Sequence, residues 1–250
     1  MRILNPYRFG GGAGFPLDAY SADLAAAYSV RRLLTSYEGD GELVRRSSDS
    51  ATAAVPPDEG GGERSAARRT HTGANSGYDA AWYDQTGNAR DLVQATALSQ
   101  PRVVNAGVVS ASGGIDGLSF NAAEYLQRLT IPDARTIYVV FRWTVGGSRI
   151  LLDCRTGLTA YVLANATSFT GGAGWANGSS ITGPSTGLPA DGAWRLLTFQ
   201  LTSAADIDLT IGANYLGGGV ATGHVAEVLV STATRDTALE ASVMAAYGLS

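Results

Sequence analysis

The sequence predicts an all-β protein, an antiparallel β-sandwich of the jelly-roll kind closed by one C-terminal helix. Three observations point there. Charged side chains make up only 16% of the 250 residues, too few to cover the exposed faces of a helical bundle. Short apolar runs follow one another closely from Tyr78 onward, and runs of glycine such as Gly171-Gly172 and Gly217-Gly218-Gly219 separate them.

In chain order, residues 1–16 read as an arm. Asn5-Pro6, Gly10-Gly11-Gly12 and Gly14 give it little to pack on, with Tyr7, Phe9 and Phe15 as its anchors. Residues 17–250 form the sandwich domain. Ser21 to Ala27 begins with an N-cap type and continues in helix formers, which predicts a short helix, followed by a strand over Tyr28 to Leu33. A strand over Glu42 to Ser47 follows the turn signal Glu38-Gly39-Asp40-Gly41, and Val55 to Gly62, with two prolines and three consecutive glycines, is a surface loop. Thr136 to Thr144 is apolar at nearly every position and rich in β-branched and aromatic residues, as a central strand requires. Ile207, Leu209 and Ile211 alternate with Asp208 and Thr210, the half-buried form. Ile150 to Cys154, Leu158 to Asn165, Trp194 to Thr202 and His224 to Ser231 complete the strands, with Trp143 and Trp194 in the core. Leu239, Val243 and Tyr247 recur at spacing four, with Thr234 to cap that helix and Gly248 to end it.

Composition removes several functions. All 18 basic residues are arginine, which excludes lysine Schiff-base chemistry and the P-loop. With a net charge of −4, only Arg31/Arg32, Arg45/Arg46 and Arg64/Arg68/Arg69 offer a local basic patch, so no nucleic-acid partner is expected. One cysteine, Cys154, and two distant histidines, His71 and His224, give no disulfide and no zinc motif, and no metal or cofactor is expected. Cys154 reads as a small buried hydrophobe. No apolar run is long enough for a membrane span, and the N-terminus reaches glycine too soon for the core of a signal peptide.

Ala27-Tyr28-Ser29-Val30-Arg31-Arg32-Leu33, Val44-Arg45-Arg46-Ser47-Ser48-Asp49 and Trp82-Tyr83-Asp84-Gln85-Thr86-Gly87-Asn88 with Gln94-Ala95 form a distinctive series. It resembles the catalytic-domain family of α-L-arabinofuranosidase B enzymes and their relatives in bacteriophage and prophage proteins, over roughly residues 17 to 130. The resemblance implies a concanavalin A-like, laminin-G-like sandwich. It also implies a glutamate nucleophile and an aspartate acid/base, and retaining chemistry needs two carboxyls about 5 to 5.5 Å apart. Leu152-Asp153-Cys154-Arg155-Thr156-Gly157-Leu158 is the nearest counterpart of the family's nucleophile segment, and it places Leu158 where the glutamate is expected. The family's paired cysteines are missing. Asp191, Asp206 and Asp208 lie in the stretch of the acid/base aspartate, although Asp208 alternates with core positions like a solvated strand residue.

The Tyr83 to Asn88 motif reads first as structure: Asp84 and Asn88 flank a Thr-Gly turn whose N–H groups they can cap, and Trp82 and Tyr83 are natural core fillers. For sugar binding the candidates are Trp175 with Asn177, Asn214 with Tyr215, and Asp153. The absent nucleophile leads to the expectation of a non-enzyme: a structural appendage of a phage or phage-like particle, at a capsid spike, tail or fibre. Its lectin-like sandwich would contact host surface polysaccharide, its arm would dock on other virion proteins, and a homo-oligomer without membrane contact is compatible with this reading. A glycoside hydrolase of the arabinofuranosidase type and a carbohydrate-binding module outside any virion are the alternatives.

Overall fold

The computed structural model describes residues 17–250 except 61, 122, 145–149, 157, 164–168, 185–187, 215–216 and 219–221. The strands of the first half are β1 (Leu24–Ser29), β2 (Glu42–Arg46), β3 (Thr52–Val55), β4 (Gly77–Trp82), β5 (Leu92–Val93), β6 (Arg102–Asn105), β7 (Val108–Val109), β8 (Ala111–Ser112), β9 (Ile115–Asp116) and β10 (Leu118–Phe120). Then follow β11 (Leu126–Trp143), β12 (Ile150–Thr156), β13 (Leu158–Leu163), β14 (Gly172–Ala176), β15 (Ser179–Ile181), β16 (Trp194–Ile211) and β17 (Gly223–Ser231). The helices are α1 (Glu63–Thr72) and α2 (Thr237–Tyr247). The strands pair antiparallel, as the sequence predicts.

β11 and β16 are 18 residues each and belong to both layers. The first turn of β11, Leu126 to Arg128, faces β5 and the end of β16, whereas Thr136 to Arg142 lies between β17 and the start of β16. Between them the register shifts three times, and Thr130 and Asp133 take positive φ. Asp208 and Asp206 across the pair accept their N–H groups at 2.8 and 3.1 Å, which satisfies the corner's backbone.

Within Thr136 to Trp143, alternation decides the layers. Ile137, Val139, Phe141 and Trp143 enter the core between the sheets, with Leu197, Phe199, Val228 and Val230. Tyr138 and Val140 point the other way, onto Leu239, Val243 and Tyr247 of α2 and onto Leu17, Leu33 and Leu34. The strand is apolar throughout because both of its faces are covered. Cys154 is fully buried in the inter-sheet core, as its sequence context predicts.

Several expectations are corrected. Asp18–Asp23 is a short 3₁₀ turn and Leu24–Ser29 is a strand, so the predicted helix from Ser21 to Ala27 and strand from Tyr28 to Leu33 give way. The alanines were placed by propensity, but they are small enough to pack β1 between β17 and the core. Trp194 is only partly buried, at the edge of the α2-side cluster. Asp236, not Thr234, caps α2: its carboxylate accepts from the N–H groups of Ala238 and Leu239 at 2.7 and 3.2 Å, and Gly248 ends the helix at φ +63°. Asp236→Ala is expected to cost about 1 kcal/mol, read as a lowered melting temperature with an unchanged fold.

The stretch from Val55 to Gly62 is followed by a helix. This helix, α1, buries Arg64, Arg68 and Thr72. The guanidiniums of Arg64 and Arg68 both grip the Glu42 carboxylate of β2, with all three side chains inaccessible to water. The expected basic patch at Arg64/Arg68/Arg69 is therefore largely interior. Arg31 is likewise turned inward, forming two hydrogen bonds with Glu227, which also accepts from Ser29 and Tyr247.

Candidate active site

Two concavities differ in what they admit. One, beneath Phe120, Trp143 and Leu151, holds about 10 Å³, room for no more than one water. The other is an open groove of about 300 Å³, lined by Tyr37, Asp40, Tyr83, Asp84, Gly87, Ala89 and Asp91. A groove of that size accepts a sugar ring.

The floor of the groove is the motif singled out in the sequence: Asp84 caps the turn and Trp82 is buried, whereas Asn88 donates to the Ala25 carbonyl instead of capping and Tyr83 is half-buried in the groove wall. Asp84, buried, accepts from the backbone N–H of Ala27 at 2.9 Å, of Thr86 at 3.0 Å and of Arg90 at 3.3 Å, and from the Thr86 hydroxyl. Gln85 accepts from the Leu33 N–H and donates to the Ser29 and Arg31 carbonyls. These contacts clasp the first strand and the stretch after it onto the turn. Gly87 and Ala89 turn the backbone at φ +80° and +53°, opening the floor.

The walls come from elsewhere. Tyr37 donates its hydroxyl to the Asp40 carbonyl, and Tyr83 follows the end of β4. The Asp91 carboxylate is fixed at one oxygen by the Asp84 N–H at 2.9 Å. Burial, then the carboxylates of Asp91 and Asp40, push the Tyr37 phenol up to about 12, and burial with Asp40 and Asp91 raises that of Tyr83. Both phenols therefore stay protonated at neutral pH. The groove pairs two phenol hydroxyls, that of Tyr37 already donating to the Asp40 carbonyl, and two aromatic faces with the carboxylates of Asp40 and Asp91, a set that matches the hydroxyls and ring of a sugar.

The residues predicted for glycan contact are placed differently. Asp153 is fully buried in mid-sheet, opposite Tyr161 and Thr210, out of reach of any glycan. Asn177 and Gly178, at φ +45° and +78°, are the two-residue turn of the β14–β15 hairpin rather than part of a binding loop. The Asn177 side chain accepts from the Leu196 N–H and donates to the Ser250 carbonyl. Arg235 stacks on Trp175 with 4.6 Å from its guanidinium carbon to the ring centroid, while Glu240 and the Gly178 carbonyl hold that guanidinium. Asn214 folds back to the Gly218 N–H at 2.7 Å. Tyr215 and the arm residues Tyr7, Phe9 and Phe15 lie outside the described residues.

The expected acid/base stretch is also structural: Asp191 pairs with Arg195, while Asp206 and Asp208 serve the corner of β11. Leu158 opposes Thr156 at the head of the β12–β13 hairpin. With Asp153 buried in the same hairpin, that segment is framework, and the absence of a glutamate there says nothing about a nucleophile. Among the described residues no group of three or more His, Cys, Asp or Glu is placed to hold a metal ion.

Residues 16–137 match the family model for the catalytic domain of α-L-arabinofuranosidase B, a segment that contains every residue of the groove. Three solved structures share the fold, each at 16% identity over 94% of this chain. They are an arabinofuranosidase complexed with arabinofuranosyl-α-1,2-xylobiose (TM-score 0.56), a glutamate-to-glutamine mutant of a GH54 α-L-arabinofuranosidase soaked with 4-nitrophenyl α-L-arabinofuranoside (0.61), and a GH54 enzyme soaked with a cyclic sulfate inhibitor (0.55). The chain spans 65% of the length of each. No curated protein matches it.

These matches overturn the expectation of a phage appendage. Both the family and the fold neighbours are glycoside hydrolases, and none is a virion component, so the structural role, the virion location, the host-attachment function and the reading as a non-enzyme are corrected together.

Proposed function

We propose that this chain is a glycoside hydrolase of the α-L-arabinofuranosidase type, with an arabinofuranosyl group seated in the groove between Tyr37 and Tyr83. The match to an arabinofuranosidase catalytic domain over the segment that builds the groove carries the reading. Asp91, oriented by the Asp84 N–H, is the carboxylate that faces the anomeric carbon. Asp91 bonds to that carbon as the glycosidic bond breaks and Asp40, the second carboxyl, protonates the departing oxygen; water that gives its proton to Asp40 then displaces Asp91. Tyr83 donates to a sugar hydroxyl, and Tyr37, whose hydrogen is held by the Asp40 carbonyl, accepts from one. The concanavalin A-like assignment of the sandwich is supported by its antiparallel pairing and by the two bent strands common to both layers.

The test is release of nitrophenolate from 4-nitrophenyl α-L-arabinofuranoside. Turnover should fall at least about a thousandfold in Asp91→Asn and Asp40→Asn, with melting temperature retained. Turnover unaffected by both substitutions would move the site away from the groove. Binding of the glycoside with no turnover by the unaltered chain would make it a carbohydrate-binding module instead.

A further inference from the structure

A second polar constellation lies on the opposite side of the sheet from the inter-sheet core, built from residues that face one another across five strands. Ser119 of β10 is opposite Arg102 of β6 on one side and His224 of β17 on the other. His224 in turn faces Arg142 of β11, and Arg142 faces Trp194 of β16. Direct neighbours across strands sit roughly 5 Å apart, so the five side chains form one continuous row. Arg142 falls between Phe141 and Trp143, which point into the core, and so it projects outward, beyond the stretch that α2 covers. All five residues are half-buried.

The row contains two guanidiniums and no carboxylate to pair with them. Arg31, Arg32, Arg46, Arg64, Arg68, Arg195 and Arg235 each pair with a carboxylate. Neither Arg102 nor Arg142 does so among the described residues; Arg102 reaches only the Asn105 side chain, at 3.3 Å. The Nε atoms of Arg102 and Arg142 and Nδ1 of His224 are shielded from water yet have no hydrogen-bond partner. Leaving such groups unpaired is costly, and an anion seated on the row would supply the negative charge that the two half-buried guanidiniums lack. Trp194 stands at the end of the row, its ring centroid 6.3 Å from that of His224 and its Nε1 held by the Ser112 carbonyl at 2.7 Å, so its ring is fixed in place.

We propose that Arg102, His224 and Arg142 bind the carboxylate of an acidic sugar, a hexuronic acid residue of a glycan, whose ring packs on Trp194. An isolated inorganic anion would use the cations but leave the indole unused. Burial, then the positive charges of Arg142 and Arg102, push the His224 imidazole down to about 4. These are the charged groups that face it from the neighbouring strands, and a bound carboxylate offsets them, which raises its affinity for a proton. The site is separate from the groove and does not depend on turnover there.

The chain has only two histidines, so both can be followed by NMR, with His71 as internal control. Titration with trigalacturonate should raise the His224 midpoint by about one unit or more, perturb Trp194 fluorescence and leave His71 unmoved. Neutral galactotriose should do neither. Arg142→Gln and Trp194→Ala should each weaken binding at least about tenfold while retaining the melting temperature. No shift of His224 with trigalacturonate, or binding that survives Arg142→Gln, would overturn the site. Inorganic sulfate binding as tightly as trigalacturonate, with Trp194→Ala without effect, would overturn the sugar and leave only an anion site.

Discussion

Glu42→Ala is expected to destabilise the protein by about 3 to 5 kcal/mol, because it removes the carboxylate that both buried guanidiniums grip and leaves them only the neighbouring Asp79 to lean on. At this chain length that corresponds to a melting temperature lowered by roughly 10 °C. Burial alone would raise the Glu42 carboxyl, but Arg64 and Arg68 outweigh it and hold it at about 2. The sign follows. A carboxyl bound more weakly by protons in the folded state stabilises fully above its unfolded value near 4.5 and loses that contribution as pH falls towards 2. The gap between the unaltered protein and Glu42→Ala, measured by denaturant titration, should therefore narrow over that range. Replacing Glu42, Arg64 and Arg68 together by leucine and methionine should recover most of the loss. A single substitution costing less than about 1 kcal/mol would show that water reaches the cluster.

Asp84→Ala is expected to cost about 3 to 4 kcal/mol, since it removes the one acceptor shared by three backbone N–H groups and a hydroxyl, each bonded to a charged oxygen. Amide hydrogen exchange at Ala27 and Arg90 should rise well above that of core strands such as β17. Unchanged protection at Ala27 would mean that the pairing of β1 with β17 holds the first strand without the clasp. The Asp84 N–H that fixes Asp91 is a backbone group and is kept in this variant, so turnover should fall only as far as the loosened turn displaces Asp91.

The sequence made the framework legible where burial follows periodicity. Thr136 to Thr144, the alternation from Ile207 to Ile211 and the four-residue spacing from Leu239 to Tyr247 all carry apolar side chains at the positions that the fold buries. Helix α1 escaped the same test for a physical reason. Its interior stripe is Arg64, Arg68 and Thr72, spaced by four like any helix face but polar, and its complement is a glutamate in a different strand. The Asn177-Gly178 dipeptide was a readable hairpin signal, outweighed by the aromatic beside it. The groove was half visible. Tyr83 and Asp84 stood out as a motif, whereas Tyr37, Asp40 and Asp91 join them only through the packing of loops.

The corner strands also set an order of events during synthesis. The second half of β11 finds its neighbours in β16 and β17, and among the described residues β1 pairs with β17, about 200 residues later in sequence. A ribosome-bound chain that has not yet emerged past Gly223 offers β1 and one edge of the second half of β11 nothing to pair with, although all of their apolar side chains are already made. Closure from such distant segments is slow, and the wait exposes sticky edges. The strand that completes the sandwich is therefore translated after every strand it pairs with, and a chain truncated before β17 is expected to depend on chaperones rather than to fold as a smaller domain.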